Sequence, residues 1–331
     1  MKLIQLGGAF HQSLFIYELI RKNYFVACLD NVRQNPGHLY SSISFNISIT
    51  KISEIKKILA DEDYIISSYG SDIAELIRNI LIGDYGNHMN LLKKFSARLF
   101  LKEVFSNENQ PNIKLISLNE NISNHKYLVK PNISSGSKGV SIINSKKEFE
   151  QAVKLARSIS LDGLAVLEEY INNDGNKYYC EGLILRNDIF LVFGLSKSSK
   201  KNIIWDGSEQ ITEENISSFT ELTYKYVENY LKEAVLKISR VISKKSFAFN
   251  IDFFINGNKI IIIEFSPRPG GNFLPVVLEH KFNIDHSLTY LSILTGENKI
   301  FYRKYPVFSK DSRKPLNISI SNNKNKKDLL N

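Results

Sequence analysis

The sequence predicts an α/β chain: an N-terminal parallel sheet, followed by an α+β region in two parts. Three observations carry this. Residues 2–6, 25–29 and 65–68 read as short buried strands separated by amphipathic helices, the alternation that builds a parallel sheet. From residue 127 onward, strands run through turns into further strands, the pattern of antiparallel hairpins. Residues 247–265 alternate apolar side chains on either side of Asn256-Gly257-Asn258, a hairpin signal.

The elements follow in order. Lys2 to Leu6 is a strand, and Gly7-Gly8 leads into a helix carrying Leu14, Ile16, Leu19 and Ile20. A second strand ends at Asp30. Strand, Gly turn, helix, strand and acid resemble a dinucleotide-binding unit, but the third glycine of that fingerprint is missing. Ser71-Asp72 caps a helix with Ile73, Leu76, Ile77 and Ile80 on one face. Residues 89–101 read as one helix, with Lys94 and Arg98 as i,i+4 neighbours on what is usually a solvated face. Residues 127–131 form a strand with Lys130 near its end, and residues 132–140 a small Ser/Gly loop. Ser145-x-x-Glu148 opens a helix as a capping box. Residues 164–167 are a strand leading into Glu168-Glu169, and 172–175 a turn. Residues 178–186 and 189–195 make a hairpin, 197–207 a polar loop around Trp205, and 222–242 a long helix. After Gly271, residues 273–278 and 284–294 read as helical.

Composition sets limits. The 331 residues suffice for two or three domains with their own cores. We place the boundaries at 1–92, 93–297 (with a smaller subdomain at 124–170) and a basic, largely disordered tail at 298–331. The net charge is +9, and the tail alone holds nine Lys/Arg against two Asp/Glu, or +7. The body is therefore nearly neutral, which argues against a nucleic-acid-binding surface. No apolar run is long enough for a transmembrane helix, and the first ten residues are too short in apolar length for a signal peptide. A cytoplasmic location without integral membrane association is expected. Cys28 and Cys180 sit in apolar segments and read as buried free thiols.

The hairpin at 247–271 carries the clearest chemistry. Side chains alternate along a strand, so Asn250 and Asp252 share a face, as do Glu264, Ser266 and Arg268. With a three-residue loop at 256–258, Asp252 faces Ile262, and Glu264 is its diagonal neighbour at roughly 7–8 Å. Two carboxylates so placed can share a cation, and hard oxygen ligands suit magnesium. Arg268 suits a phosphate oxygen. The same residues also fit a solvated sheet face with a surface ion pair, and the hairpin alone names no reaction.

Taken in order, YLVKPNISSGSKGV, VLEEYI and NIDFFINGNKIIIIEFSPRPGG resemble the ATP-grasp superfamily, in the branch of biotin carboxylase, carbamoyl-phosphate synthetase and carboxylate–amine ligases. The resemblance covers residues 1 to about 297. It implies a pre-ATP-grasp domain followed by a two-subdomain ATP-grasp domain. It places ATP phosphates on Lys94 and Lys130, under a lid made of Ser134, Ser135, Gly136, Ser137, Lys138 and Gly139. Adenine falls to Glu168, Glu169 and Ile171. Magnesium, with manganese as a substitute, falls to Asp252, Glu264 and Ser266, and the catalytic roles to Arg268 and Lys130. Three positions depart from the family pattern: Lys93 replaces an acid, Lys177 a ribose-binding Glu, and Ser266 an Asn.

The resemblance thus implies an ADP-forming carboxylate–amine ligase working through an acyl phosphate. Its substrates would be a small carboxylate and an amine, with a homodimer compatible. Two alternatives stay open: an ATP-grasp enzyme with another acceptor, such as a carboxylase or kinase-like member, and a non-catalytic nucleotide-binding protein. No biotin-carrier segment is visible.

Overall fold

The computed structural model describes residues 1–60, 62–105, 110–117, 126–171, 176–199, 202–203, 205–206, 224–256, 259–271, 274–303 and 319–320. The turns expected at 172–175 and 257–258, and most of the basic tail, lie outside these. Of the 197–207 loop, residues 197–199 extend a strand, and two short strand pieces follow.

The first sheet contains β1 (Lys2–Leu6), β2 (Phe25–Leu29), β3 (Ile43–Phe45) and β4 (Tyr64–Ser67). All pair in parallel, in the order β3-β2-β1-β4. Its central strands are nearly continuous apolar runs, broken by the buried Gln5 of β1, because both faces are covered. Ile4, Leu6, Ala27 and Leu29 pack with Ile55 and Ile77 from the flanking helices. The Gly turn after β1 serves packing here. A Cβ on Gly8 would lie 2.7 Å from the Cys28 Sγ, and the Gly8 N–H donates to Asp30 Oδ2 at 2.7 Å. The acid that a dinucleotide fold turns toward ribose is spent inside its own turn.

The second sheet contains β5 (Ile113–Leu115), β6 (Tyr127–Pro131), β7 (Ser141–Ile143) and β8 (Ala165–Glu169). These pair antiparallel in the order β5-β8-β6-β7. Helix Lys146–Ile159 covers them with Phe149, Ala152 and Ala156. Ser145 caps that helix by accepting from the Glu148 N–H. The return bond expected of a capping box goes one residue back instead, from the Asn144 N–H to Glu148.

The third sheet holds β9 (Asn176–Leu185), β10 (Asp188–Ser199), β11 (Asn202–Ile203), β13 (Ser246–Asn256) and β14 (Lys259–Ser266), in the order β11-β10-β9-β13-β14. Its strand pairs are antiparallel. Strand β12 (Trp205–Asp206) pairs with β15 (Ser319–Ile320) from the tail. On one face of the five-stranded sheet, Cys180, Phe249, Ile251, Ile262 and Phe265 pack with Val227, Leu231 and Val235 of helix Tyr224–Val241. The opposite face divides in two. One end is apolar: Leu183, Leu185 and Ala248 join Leu3 and Phe15 of the first sheet region and Leu274 and Leu278 of helix Leu274–Phe282. The other end, carrying the next odd positions of β9 and even positions of β13, is polar and faces a cleft.

Two expectations are corrected. Residues 89–101 do not form one helix. A 3-10 helix, Asn87–Leu92, ends at Lys93, and an α-helix runs over Lys94–Val104. Asn132 fixes the break, since its carbonyl accepts from the Lys94 N–H and its side chain from the Phe95 N–H. Second, Asp252 and Glu264 are directly opposed in the ladder, not diagonal. The connection spans two residues, because Asn256 pairs with Lys259, and a bulge follows at Ile263. Both cysteines are free and buried, as expected. Among the described residues, no helix is long and apolar enough to cross a membrane.

Candidate active site

A cleft of about 620 Å³ opens between the polar end of the third sheet, the second sheet and the N-terminal region. Of the residues singled out above, it is lined by Lys94, Lys130, Ser134 to Ser137, Glu168, Glu169, Ile171, Asp252, Glu264 and Arg268. Lys138 is exposed, and Gly139 packs against Pro131 and Ile159 at the base of the loop. Ser266 is 1% exposed, opposite Asn250 in the ladder.

Each candidate metal carboxylate carries a lysine. Lys94 Nζ lies 2.5 Å from Glu264 Oε1, and Lys177 Nζ lies 2.5 Å from Asp252 Oδ2. Burial pushes the Glu264 carboxyl up, but the Lys94 ammonium overrides it and holds the group well below the usual carboxylate range. Lys177 works the same way in reverse: burial favours its neutral form, and Asp252 more than restores the charge. Its ammonium also sits 4.8 Å from the Tyr179 ring centroid, a cation–π contact that steadies the long side chain.

Lys130 donates to Glu168 Oε1 at 2.7 Å, and Arg98 approaches the same oxygen at 3.5 Å. Burial opposes ionisation of Glu168, yet these two cations hold its carboxyl below the ordinary value. The Glu168 carboxylate thus faces Lys130, while Glu169 accepts from the backbone and side-chain N–H groups of Asn112. Gly136 and Ser137 both take left-handed backbone conformations at the tip of the loop over the cleft.

At the far end stands Arg268. Its Nε donates to Asp72 Oδ1 at 2.9 Å, and a second guanidinium nitrogen lies 2.8 Å from the same oxygen. Burial raises the Asp72 carboxyl despite that guanidinium, and Glu264 adds to the rise. Beside them Glu181, fully buried, accepts from the Gly270 N–H at 2.9 and 3.0 Å and from Asn250 at 3.1 Å. Burial pushes its carboxyl to about 8, against the pull of these donors. The His11 ring completes this end. It lies so close to Gly70 that a Cβ there would come within 2.5 Å of it. Burial, then Arg268, lower the imidazole to about 4, so it is neutral at neutral pH.

Sequence reasoning missed Asp72, His11 and Glu181 as members of the site. It read Asp72 only with Ser71 as a helix start, and the Ser71 side chain does accept from the Ala74 N–H. Nothing local marks the other two. Arg98 had a signal, its i,i+4 relation to Lys94, but it is buried, not solvated.

The donor set suits a hard cation. Two opposed carboxylates already face positive charge, and magnesium takes one or two carboxylates plus phosphates and waters. Among the described residues, no cluster of three His, Cys, Asp or Glu forms a self-sufficient metal cage. A metal here would need oxygen ligands brought by a substrate.

A formate-dependent phosphoribosylglycinamide formyltransferase of Prochlorococcus marinus (strain AS9601) is 27% identical over 162 residues, 47% of this chain and 38% of that protein. A D-alanine–D-alanine ligase of Campylobacter jejuni (strain 81-176) is 29% identical over 151 residues, 43% of this chain and 40% of that protein. The chain thus spans about two fifths of the length of these curated relatives. Two solved structures share the fold. An L-amino acid ligase from Bacillus licheniformis superposes with a TM-score of 0.63 at 16% identity, covering 90% of this chain and 77% of that one. N5-carboxyaminoimidazole synthetase from Staphylococcus aureus, complexed with ADP, gives 0.61 at 17%, covering 92% and 78%. The family described as D-ala D-ala ligase C-terminus matches residues 99–278, more than half of the chain and the stretch that supplies Lys130, Glu168, Asp252, Glu264 and Arg268. With its cleft built from these residues, the chain belongs to that family, within the ATP-grasp superfamily.

Proposed function

We propose that the chain is an ADP-forming ligase that joins a carboxylic acid to an amine through an acyl phosphate. The observation that carries this reading is the opposed pair Asp252–Glu264, set between two lysines and followed by a buried arginine, in one cleft. Phosphoryl transfer asks for positioning and charge neutralisation more than for a covalent catalyst.

Asp252 and Glu264 would hold magnesium, with manganese as a substitute, and Ser266 lies next in line on the same strand. When bound, the metal supplies charge neutralisation at the nucleotide phosphates. Lys130 and Lys94 offer ammonium groups to the same phosphates once released from Glu168 and Glu264. The loop at 134–139 would close over them and exclude water. Residues 168–171 would receive adenine through backbone groups. Arg268 would bind the substrate carboxylate, exchanging Asp72 for it, and stabilise charge on the acyl phosphate. Attack by the carboxylate oxygen breaks the bond from the γ-phosphorus to the bridging oxygen and releases ADP. The amine then attacks the acyl carbon and phosphate leaves.

The test is ADP release with magnesium and ATP across panels of carboxylic acids, each with and without amines, followed by product mass. Amide products support the reading. A phosphorylated or carboxylated product would move the chain to another acceptor class, and binding of ATP without any turnover would favour a nucleotide-binding protein. The resemblance sets Lys93, Lys177 and Ser266 apart from the family pattern, and Lys177, paired with Asp252, favours that last reading.

A further inference from the structure

Glu264 reaches the cleft because β14 carries one extra residue. From Asn256↔Lys259 to Phe253↔Ile262 the ladder is regular, and then Asp252 pairs with Glu264, leaving Ile263 without a partner. In an unbroken ladder Glu264 would stand opposite Ile251. It would then share the face of Ile260 and Ile262, which pack in the apolar core with helix Tyr224–Val241. A one-residue slip moves a side chain to the other face of a sheet. The bulge therefore decides whether this carboxylate lies in the core or in the cleft.

Among the described residues strand β14 is an edge, so no neighbouring strand of the sheet there holds the bulge from outside. Arg98 does so. One terminal nitrogen donates to the Ile262 carbonyl at 2.8 Å, and the other to the Ile263 carbonyl at 2.8 Å. The first also donates to Gln110 Oε1 at 2.5 Å, and the second lies 3.5 Å from Glu168 Oε1. The side chain is 2% exposed. Arg98 sits one helical turn after Lys94, the partner of Glu264, on the helix whose start Asn132 fixes. Only a planar fork reaches two successive carbonyls of a bulge and a carboxylate at once.

We propose that Arg98 is a positioning residue that sets the β14 bulge and thereby delivers Glu264 to the metal–phosphate end of the cleft. The inference rests on the magnesium–nucleotide reading above and adds a device to it. Arg98 spends its guanidinium on protein groups and acts through Glu264. The register makes a specific prediction. Deleting Ile263 removes the extra residue, so Glu264 stands opposite Asp252 in an unbroken ladder that has no bulge to hold.

The experiment measures ADP affinity with and without magnesium in four proteins: the parent chain, Arg98→Lys, the Ile263 deletion, and the two combined. Arg98→Lys keeps a cation beside Glu168 but offers a point charge to the two carbonyls. In the parent background it should weaken the magnesium-dependent part of ADP binding about tenfold or more, as lost support of a ligand does. Its metal-free ADP affinity should stay near the parent's, which also reports that the protein is folded. In the deletion background the same substitution should leave the magnesium effect unchanged. A magnesium effect equal to the parent's in Arg98→Lys overturns the proposal. So does an equal loss in both backgrounds, which would show that Arg98 acts other than through the bulge. Absence of any magnesium effect in the parent chain would instead remove the reading on which the proposal stands.

Discussion

Lys177 Nζ lies 2.5 Å from Asp252 Oδ2, on the neighbouring strand and the same face of the sheet. A lysine thus sits where a cation bound by Asp252 would compete for the same oxygen. Lys177→Met removes the competitor and leaves two opposed carboxylates with one ammonium, that of Lys94 on Glu264. The nucleotide-free protein should then bind manganese more tightly, by roughly tenfold if the pair is worth ~1.4 kcal/mol. Electron paramagnetic resonance of free manganese reads this directly. Unchanged or weaker binding would mean that Asp252 is not a metal ligand.

Lys130 and Glu168 form the second buried pair, at 2.7 Å. Removing one partner of a buried pair costs ~3–5 kcal/mol when the other is left alone. Glu168 keeps Arg98, so Lys130→Met should cost less, about 2 kcal/mol. The double substitution Lys130→Met, Glu168→Met should recover much of that stability and none of the ATP affinity. Denaturant midpoints and ATP titration separate the two effects.

Buried histidine sets part of the acid stability. His286 is 1% exposed, its ring nitrogens have no hydrogen-bond partner among the described residues, and burial lowers it to about 3. The unfolded chain protonates this residue near its ordinary value of 6.5 and the folded chain does not. Its contribution is therefore full above pH 6.5 and is lost as pH falls toward 3. At pH 4.5 the loss is on the order of 3 kcal/mol. Glu181, raised to about 8 by burial, runs the other way: it favours the folded state below its unfolded value and loses that advantage as pH rises toward 8. His286→Phe should flatten the acid limb, so that its stability relative to the parent is larger at pH 4.5 than at pH 7.5. A difference that is equal at both pH values would contradict the assignment.

The hairpin was legible because period-two alternation and a turn tripeptide are local signals. Its register was not. The sequence suggests a three-residue loop, whereas pairing of Asn256 with Lys259 shortens it to two and Ile263 adds a bulge. Those two changes together bring Glu264 opposite Asp252, on the face already expected from alternation. The parallel sheet, the 178–195 hairpin and the Ser71 cap were equally local and came through. Contacts across the chain were not legible. Arg268 meets Asp72 across 196 positions of sequence, and Arg98 meets the β14 carbonyls across 164 and 165. The helix break at Lys93 has the same origin, because Asn132, outside that helix, supplies its cap.

Asp72 and Arg268 also yield a stability prediction. Asp72→Asn leaves a buried guanidinium with a neutral partner, but it also removes a carboxylate whose charge burial already disfavours, so its cost should fall below the ~3–5 kcal/mol of an ordinary broken buried pair. A substrate carboxylate that takes the place of Asp72 should reverse part of this cost. The melting temperature of Asp72→Asn should therefore rise more on adding a productive acid than that of the parent. Equal rises would indicate that the acid binds away from Arg268.

The most direct measurement compares the parent chain with Glu264→Gln by calorimetric titration of ATP, with and without magnesium. The substitution keeps the shape of the side chain and removes the charge that would hold the metal. The account predicts that magnesium tightens ATP binding in the parent and has little effect in Glu264→Gln, while metal-free binding survives through Lys130. An equal magnesium effect in both proteins would contradict it, because the metal would then be held elsewhere.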